Sequence, residues 1–231
     1  MNVRSGLTLT AVAGLALVPA AGAAPKPPNA PKPPKPAMGT YTLSLDAKPS
    51  LVLFTTATTL SGRVAGPTVA GVNVRLEQDD TLPLGDKFVP TGLMGATAAN
   101  GGYQFAVKPS VNTQYRVVAK TTPDTTSPVR QVRVRPLVGF SVSDSTPRRG
   151  ALVRFSGSVR PAHDGALVRV QRRTATGRWA TVAQTRLKDA GDVRSTYSRR
   201  LRVRSDGVYR VVVPQHNDHI NGISRLRRIN V

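Results

Sequence analysis

A chain of 231 residues with no cysteine and a formal charge of +21 excludes a disulfide scaffold, thiol catalysis, cysteine-ligated zinc and a lipid-bearing cysteine anchor. Its 33 basic residues against 12 acidic ones imply attraction to polyanions such as wall polymers, nucleic acid or anionic headgroups, a statement about association and not about fold. The abundance of Val and Thr, with Gly and Pro as punctuation, a single glutamate (Glu77) and 5% aromatic residues, agrees with globular β-structure.

Residues 1–23 have the form of a secretory signal: Arg4, an apolar stretch from Leu7 to Val18, a breaker at Pro19, and Ala21-Gly22-Ala23 as a cleavage site. The apolar stretch is too short to span a bilayer. No later segment is long and apolar enough to do so, and the mature chain is expected outside the membrane, secreted and without a transmembrane segment. Residues 24–39 alternate Pro with Lys and Ala, a composition that favours a polyproline II spacer of roughly 40 Å at about 3.1 Å per residue.

Residues 40–136 read as a first β-module. Leu43, Leu45 and Ala47 alternate, Pro49 breaks the run, and Leu60 and Val64 share a face of the next strand. Val72, Val74 and Leu76 then alternate against Asn73, Arg75 and Glu77. Between Asp79 and Gly102 the pattern loosens into an expected loop. Tyr103, Phe105 and Val107 resume it, followed by the strand Tyr115-Arg116-Val117-Val118 and a closing strand over Val129 to Val134.

Residues 137–231 repeat the order more clearly. Phe140 and Val142 match Leu45 and Ala47, and Phe155-Ser156-Gly157-Ser158-Val159 matches Leu60-Ser61-Gly62-Arg63-Val64. Asp164-Gly165 turns the chain into Ala166, Val168 and Val170, and Trp179 to Leu187 forms a further strand. Tyr197, Leu201 and Val203 precede the second copy of the strand phrase, Tyr209-Arg210-Val211-Val212. Leu226 to Val231 closes the module, with Val231 read as its last core residue and no further anchor or domain after it. A repeat of this size means two modules of about 95 residues. Seven short strands per copy with turn punctuation specify an all-β chain of two tandem immunoglobulin-like Greek-key β-sandwiches. Asp206-Gly207-Val208-Tyr209 has the form of a tyrosine corner.

Ser156-Gly157-Ser158-Val159-Arg160-Pro161-Ala162-His163, Val168-Arg169-Val170-Gln171-Arg172, Gly177-Arg178-Trp179 and Tyr209-Arg210-Val211 resemble the tandem Ig-like repeats of secreted and surface proteins of actinobacteria. Ser61-Gly62-Arg63-Val64, Gly71-Val72-Asn73-Val74 and Asn100-Gly101-Gly102-Tyr103-Gln104-Phe105 also resemble carboxypeptidase-regulatory or transthyretin-like sandwiches. Such repeats act as spacers and adhesive modules beside extracellular enzymes, which is what the resemblance implies here.

Charge is divided unevenly. Residues 40–136 hold 10 basic and 6 acidic residues, a net +4, whereas residues 137–231 hold 19 and 6, a net +13, and 18 of those 19 are arginine. On the fifth strand of the second module Leu201 and Val203 should face inward, leaving Arg200, Arg202 and Arg204 outward. Arg169, Arg210, Arg225 and Arg227 should gather on the neighbouring third, sixth and seventh strands as one basic face. Arginine suits bidentate contact with phosphate or carboxylate. That face lacks interleaved aromatics for base stacking, so an anionic cell-wall polymer or another extracellular protein is the expected partner and a specific nucleic acid is not. The same side chains serve equally as a solvated surface.

All three histidines lie in two loops of the second module, His163-Asp164 and His216-Asn217-Asp218-His219. An Ig-like sandwich places these loops at one end. His163, Asp164, His216, Asp218 and His219 can therefore converge on a divalent ion such as Zn²⁺, or simply cap turns. No nucleophile elbow, phosphate loop, paired-carboxylate motif or metalloprotease helix is present. The chain reads as a monomeric, non-enzymatic structural or adhesive module with no cofactor.

Overall fold

Alternation of apolar with polar residues makes a strand wherever one face can be buried. The computed structural model describes residues 39–216 and 218–231, which form strands and turns with no helix. The expected signal peptide, and the linker apart from Gly39, lie outside the described residues. The first half runs β1 (Thr42–Leu43), β2 (Asp46–Lys48), β3 (Leu51–Leu53), β4 (Thr58–Ala65), β5 (Asn73–Asp79), β6 (Val89–Ala96), β7 (Gly102–Val107), β8 (Thr113–Ala119), β9 (Thr125–Thr126) and β10 (Arg130–Arg135). The second runs β11 (Leu137–Val138), β12 (Ser141–Val142), β13 (Leu152–Arg160), β14 (Leu167–Arg173), β15 (Trp179–Arg186), β16 (Lys188–Asp189), β17 (Ser195–Arg202), β18 (Gly207–Val213), β19 (Gly222–Ile223) and β20 (Arg227–Ile229).

In the first half β1 and β2 pair with β4, which pairs with β7, and the facing sheet has the order β3-β10-β8-β5-β6 with β9 on β8. In the second, β11 and β12 pair with β13, which continues to β17 and β16, facing a sheet ordered β15-β14-β18 with β19 and β20 on β18. The chain crosses between sheets from β4 to β5 and from β13 to β14, and the last strand returns beside β8 or β18. Each half is thus an immunoglobulin-like Greek-key β-sandwich. Each has its own core: Leu60, Val64, Leu76, Tyr115 and Val117 in the first, Phe155, Val159, Val168, Val211 and Ile229 in the second. A fully buried side chain of this kind contributes roughly 1.5–3 kcal/mol, and the absence of cysteine leaves the two cores to hold the sandwiches.

The repeated Ser-Gly pair has a steric cause. Tyr103 lies directly across from Gly62 on β7, and Tyr197 across from Gly157 on β17. The Tyr103 hydroxyl donates to the Ser44 carbonyl, and the Tyr197 hydroxyl to the Gly139 carbonyl at 2.7 Å. A Cβ on Gly157 would stand 2.6 Å from the Tyr197 hydroxyl and collide with the Gly139 carbonyl oxygen, and Gly62 is bounded in the same way by Tyr103 and Ser44. Only glycine admits the ring and its hydrogen bond, so sequence, register and packing repeat together.

This arrangement overturns the expected tyrosine corner. Tyr209 makes no hydroxyl hydrogen bond among the described residues. Its place on β18 turns the ring between the sheets, edge-on to Phe155 at 5.2 Å between centroids, and the carbonyl link is made by the other tyrosine of each copy. The stretch expected as loop between Asp79 and Gly102 contains β6, an eight-residue strand. It is an edge strand paired only with β5 and is exposed at nearly every position, so no alternation marked it. The turn leading to it is held by the Asp79 carboxylate, which accepts from the Thr81 N–H at 3.1 Å, the Gly85 N–H at 2.5 Å and the Lys87 N–H at 3.3 Å. Val231 is 42% exposed and Ile229 is the last core residue, because inward positions on β20 fall at odd numbers and the strand ends at Ile229.

Candidate functional site

The arginine of the repeated Tyr-Arg-Val-Val phrase faces outward in both sandwiches, yet in both it is committed to its own sheet. Arg116 Nε donates to Glu77 Oε2 at 2.7 Å, and its guanidinium lies 4.3 Å from the centroid of Phe88. Arg75 Nε reaches the other carboxylate oxygen of Glu77 at 2.9 Å. Burial alone would push the Glu77 carboxyl up, but the hydrogen bonds from Arg116 and Arg75 outweigh it and hold the pKa below the usual carboxylate value. In the second sandwich Arg210 Nε donates to Gln171 Oε1 at 2.9 Å and the guanidinium lies 4.1 Å from the Trp179 centroid. Stacking on the aromatic and bonding its neighbour leaves little of Arg210 for a ligand, which removes it from the expected basic face.

Arg227 leaves that face too. It stands opposite Tyr209, whose ring faces the core, and its Nε donates to the Phe140 carbonyl of the opposing sheet at 3.2 Å. The outward residue of β20 is Arg228, opposite Val208. Arg225 is exposed between β19 and β20, outside any strand, and Arg169 is exposed and outward on β14. The third, sixth and seventh strands are neighbours as expected, but only Arg169 of the four expected residues stands outward on one of them without a committed guanidinium.

The fifth-strand group fares differently. Arg200 and Arg202 are exposed and outward on β17, while Arg204 is exposed but lies beyond its end. Arg202 faces Leu152, and its guanidinium donates to the Gly150 carbonyl at 3.0 Å. Arg200 lies directly across from Arg154 of β13, a residue the sequence reading missed. The inward Val153 and Phe155 would have put Arg154 outward by alternation, but its pairing with Arg200 depends on strand register, which no local pattern gives. The remaining outward residues of these two strands include Ser156, Ser158, Ser198 and Thr196, and no carboxylate stands among them. The matching cross-strand pair of the first sandwich is Thr59 and Ala106. No arginine of the second sandwich lies at ion-pair distance from a carboxylate among the described residues.

The two histidine loops do meet, and they meet at the junction of the sandwiches. The turn from His216 to His219 closes with mutual backbone hydrogen bonds and packs against the first sandwich. There Asn112 N–H donates to the Asp218 carbonyl at 2.7 Å, and Ile220 N–H to the Val134 carbonyl at 3.1 Å. His219 is 1% exposed. Its Nε2 lies 2.8 Å from the Ser110 carbonyl oxygen and its Nδ1 lies 2.8 Å from Asp218 Oδ1 and 3.3 Å from His163 Nε2. His163 is buried as well, with Nδ1 2.8 Å from the Pro161 carbonyl oxygen. Burial, more than any neighbour, pushes the His163 pKa below its usual value. Asp164 does not join them: its carboxylate accepts from the Ser195 hydroxyl at 2.5 Å, and that oxygen accepts from the His163 N–H. His216 is exposed, its ring centroid 5.9 Å from that of His163. A cleft of about 850 Å³ beside the cluster is lined by Phe54, Asp80 and Ser110 of the first sandwich and by the histidine loops of the second.

No family model and no curated protein matches the sequence. Similar solved structures include a tetra-tandem repeat from the extending region of a large adhesion protein, 16% identical over 83% of this chain with a TM-score of 0.38. This chain spans 49% of that one. Bovine butyrophilin is 10% identical over 83% of this chain and 98% of its own, with a TM-score of 0.42. The D0-D1 domain of intimin is 12% identical over 82% and 97%, with a TM-score of 0.30. Among the described residues no helix is long and apolar enough to cross a membrane.

Proposed function

We propose that this chain is an exported, non-enzymatic adhesive module whose second sandwich, residues 137–231, binds anionic extracellular polymer through the outer face of β13 and β17. One observation carries the reading: Arg154 and Arg200 stand directly opposite each other where the first sandwich has Thr59 and Ala106. Like charges placed directly across a sheet are destabilising, so this pair weakens the free sandwich and is relieved when a phosphate or carboxylate sits between the guanidinium groups. Arg202 and the hydroxyls of Ser156, Ser198 and Thr196 extend the same face with further donors. The net +13 of this half adds a longer-range attraction, screened within about 8 Å at physiological salt.

The signal-like leader, the proline-lysine spacer and the resemblance to Ig-like repeats of secreted actinobacterial proteins support placing the target in a cell wall. The test is the affinity of the chain for a purified phosphate-bearing wall polymer, measured across a salt series. The triple variant Arg154→Gln, Arg200→Gln, Arg202→Gln should bind at least about tenfold more weakly, with a shallower dependence on salt. Unchanged affinity in that variant, or binding indifferent to salt, would refute the reading.

A further inference from the structure

We infer that His163, His219 and Asp218 form a zinc-class metal site that braces the loops of the second sandwich at its junction with the first. Three features of the cluster point to it. First, each imidazole gives its outer nitrogen to a main-chain carbonyl, His163 Nδ1 to Pro161 and His219 Nε2 to Ser110. A carbonyl only accepts, so these nitrogens carry the protons, and His163 Nε2 and His219 Nδ1 are left as the inward-facing pair. A backbone carbonyl holding the far nitrogen is the usual outer support of a metal-bound histidine, since it fixes both tautomer and ring orientation.

Second, the separation fits. The inward nitrogens are 3.3 Å apart, and two nitrogens each about 2.05 Å from a tetrahedral zinc lie about 3.3 Å from one another. Asp218 supplies a carboxylate oxygen, and the three donor atoms lie within 4.8 Å of one another; donors sharing one zinc stand at most about 4.1 Å apart, so the partly exposed Asp218 side chain has to turn inward to close on the ion.

Third, inward lone pairs on both imidazoles and an adjacent carboxylate repel one another unless a positive charge lies among them, either a metal ion or a proton on His219 Nδ1 donated to Asp218 at 2.8 Å, and metal titration separates the two. Two histidines and one aspartate are a borderline donor set that suits Zn²⁺ better than Ca²⁺ or Mg²⁺, which prefer oxygen. The cleft that opens beside the cluster leaves a fourth position for water or a partner's donor.

Placement at the junction gives the metal a mechanical role. Asp218 holds the first sandwich through its main-chain carbonyl, which accepts from the Asn112 N–H, and His219 through its Nε2, which meets the Ser110 carbonyl, while His163 belongs to the loop between β13 and β14. Closing these ligands on one ion ties that loop to the junction turn, which the bonds to Asn112 and Ser110 hold against the first sandwich. An adhesive module that has to transmit force would then be stiffened by metal.

The experiment uses the full mature chain, stripped with chelator. Titration with Zn²⁺ alone should show one site per chain. Free metal at about 100-fold over its dissociation constant should raise the melting temperature by roughly 10 °C, reversibly by chelator. Co²⁺ should give the visible absorption of a tetrahedral site. His163→Gln and Asp218→Asn, neither of which bonds Ser110, should each weaken binding by about 100-fold, whereas His216→Gln should leave one site of near wild-type affinity. No saturable binding by the stripped chain overturns the assignment, and so does loss of binding in His216→Gln with retention in His163→Gln. A folded His163→Gln protein that binds as tightly as wild type also overturns it.

Discussion

Replacing Arg210 and replacing Arg200 should have opposite consequences, although both are outward arginines on strands of the same sandwich. Arg210 stacks 4.1 Å above Trp179 and donates to Gln171 at 2.9 Å. A hydrogen bond contributes about 1 kcal/mol, and a cation over an indole about 0.5–1 kcal/mol when exposed and about 2 when desolvated. Arg210→Gln should therefore cost about 1.5–2.5 kcal/mol, at roughly 4–8 °C of melting temperature per kcal/mol for a sandwich of this size. It should also shift the emission of Trp179, the only tryptophan, by opening its ring to water. Arg200→Gln removes one member of the like-charged pair with Arg154, so stability should be unchanged or rise by about 0.2–1 kcal/mol, while polymer affinity falls. The assays are thermal or urea unfolding followed by Trp179 fluorescence, and polymer binding at fixed salt. If Arg210→Gln left stability intact and lowered affinity as much as Arg200→Gln does, the assignment of one arginine to the fold and the other to the surface would be wrong.

Two further outcomes follow from the cores. Gly157→Ala should destabilise by about 2–4 kcal/mol through overpacking and the loss of the Tyr197 to Gly139 hydrogen bond. Tyr197→Phe alone should cost only about 1 kcal/mol and should add nothing in the Gly157→Ala background, so additive costs in a double-mutant cycle would contradict the proposed crossing of ring over glycine. Alkaline pH should also weaken the protein. Burial raises the Tyr103 and Tyr115 hydroxyls to about 12 and pushes Tyr197 and Tyr209 up as well. A folded pKa raised above the unfolded value of about 10 gives stability that is complete below pH 10 and lost as pH climbs toward 12. Urea midpoints measured from pH 9 to 12 should fall across that window, and a flat profile would count against burial of the tyrosines.

Much of the fold was legible in the sequence because burial writes itself at period two. Leu60 and Val64, Phe155 and Val159, and the repeated Tyr-Arg-Val-Val phrase marked strands with one buried face, and Leu60, Val64, Phe155, Val159, Tyr115, Val117, Tyr209 and Val211 are core. The strand Val89–Ala96 was not legible, since an edge strand exposed on both faces has no pattern to show. The two histidine loops were expected to share an end, and His163 and His219 meet there. That Asp164 would turn instead to Ser195, and that Ser110 of the first sandwich would hold His219, depended on contacts between residues far apart in the chain.

The sequence by itself determined the duplication, the all-β sandwiches and the concentration of arginine in the second, because composition and alternation are local properties of the chain. Tertiary structure alone decided what each arginine faces. Register set Arg154 against Arg200, the aromatic on the neighbouring strand captured Arg210, and an inward position drew Arg227 to the opposing sheet. A guanidinium is defined by what stands across from it, and pairing between strands is a relation no single stretch of sequence contains.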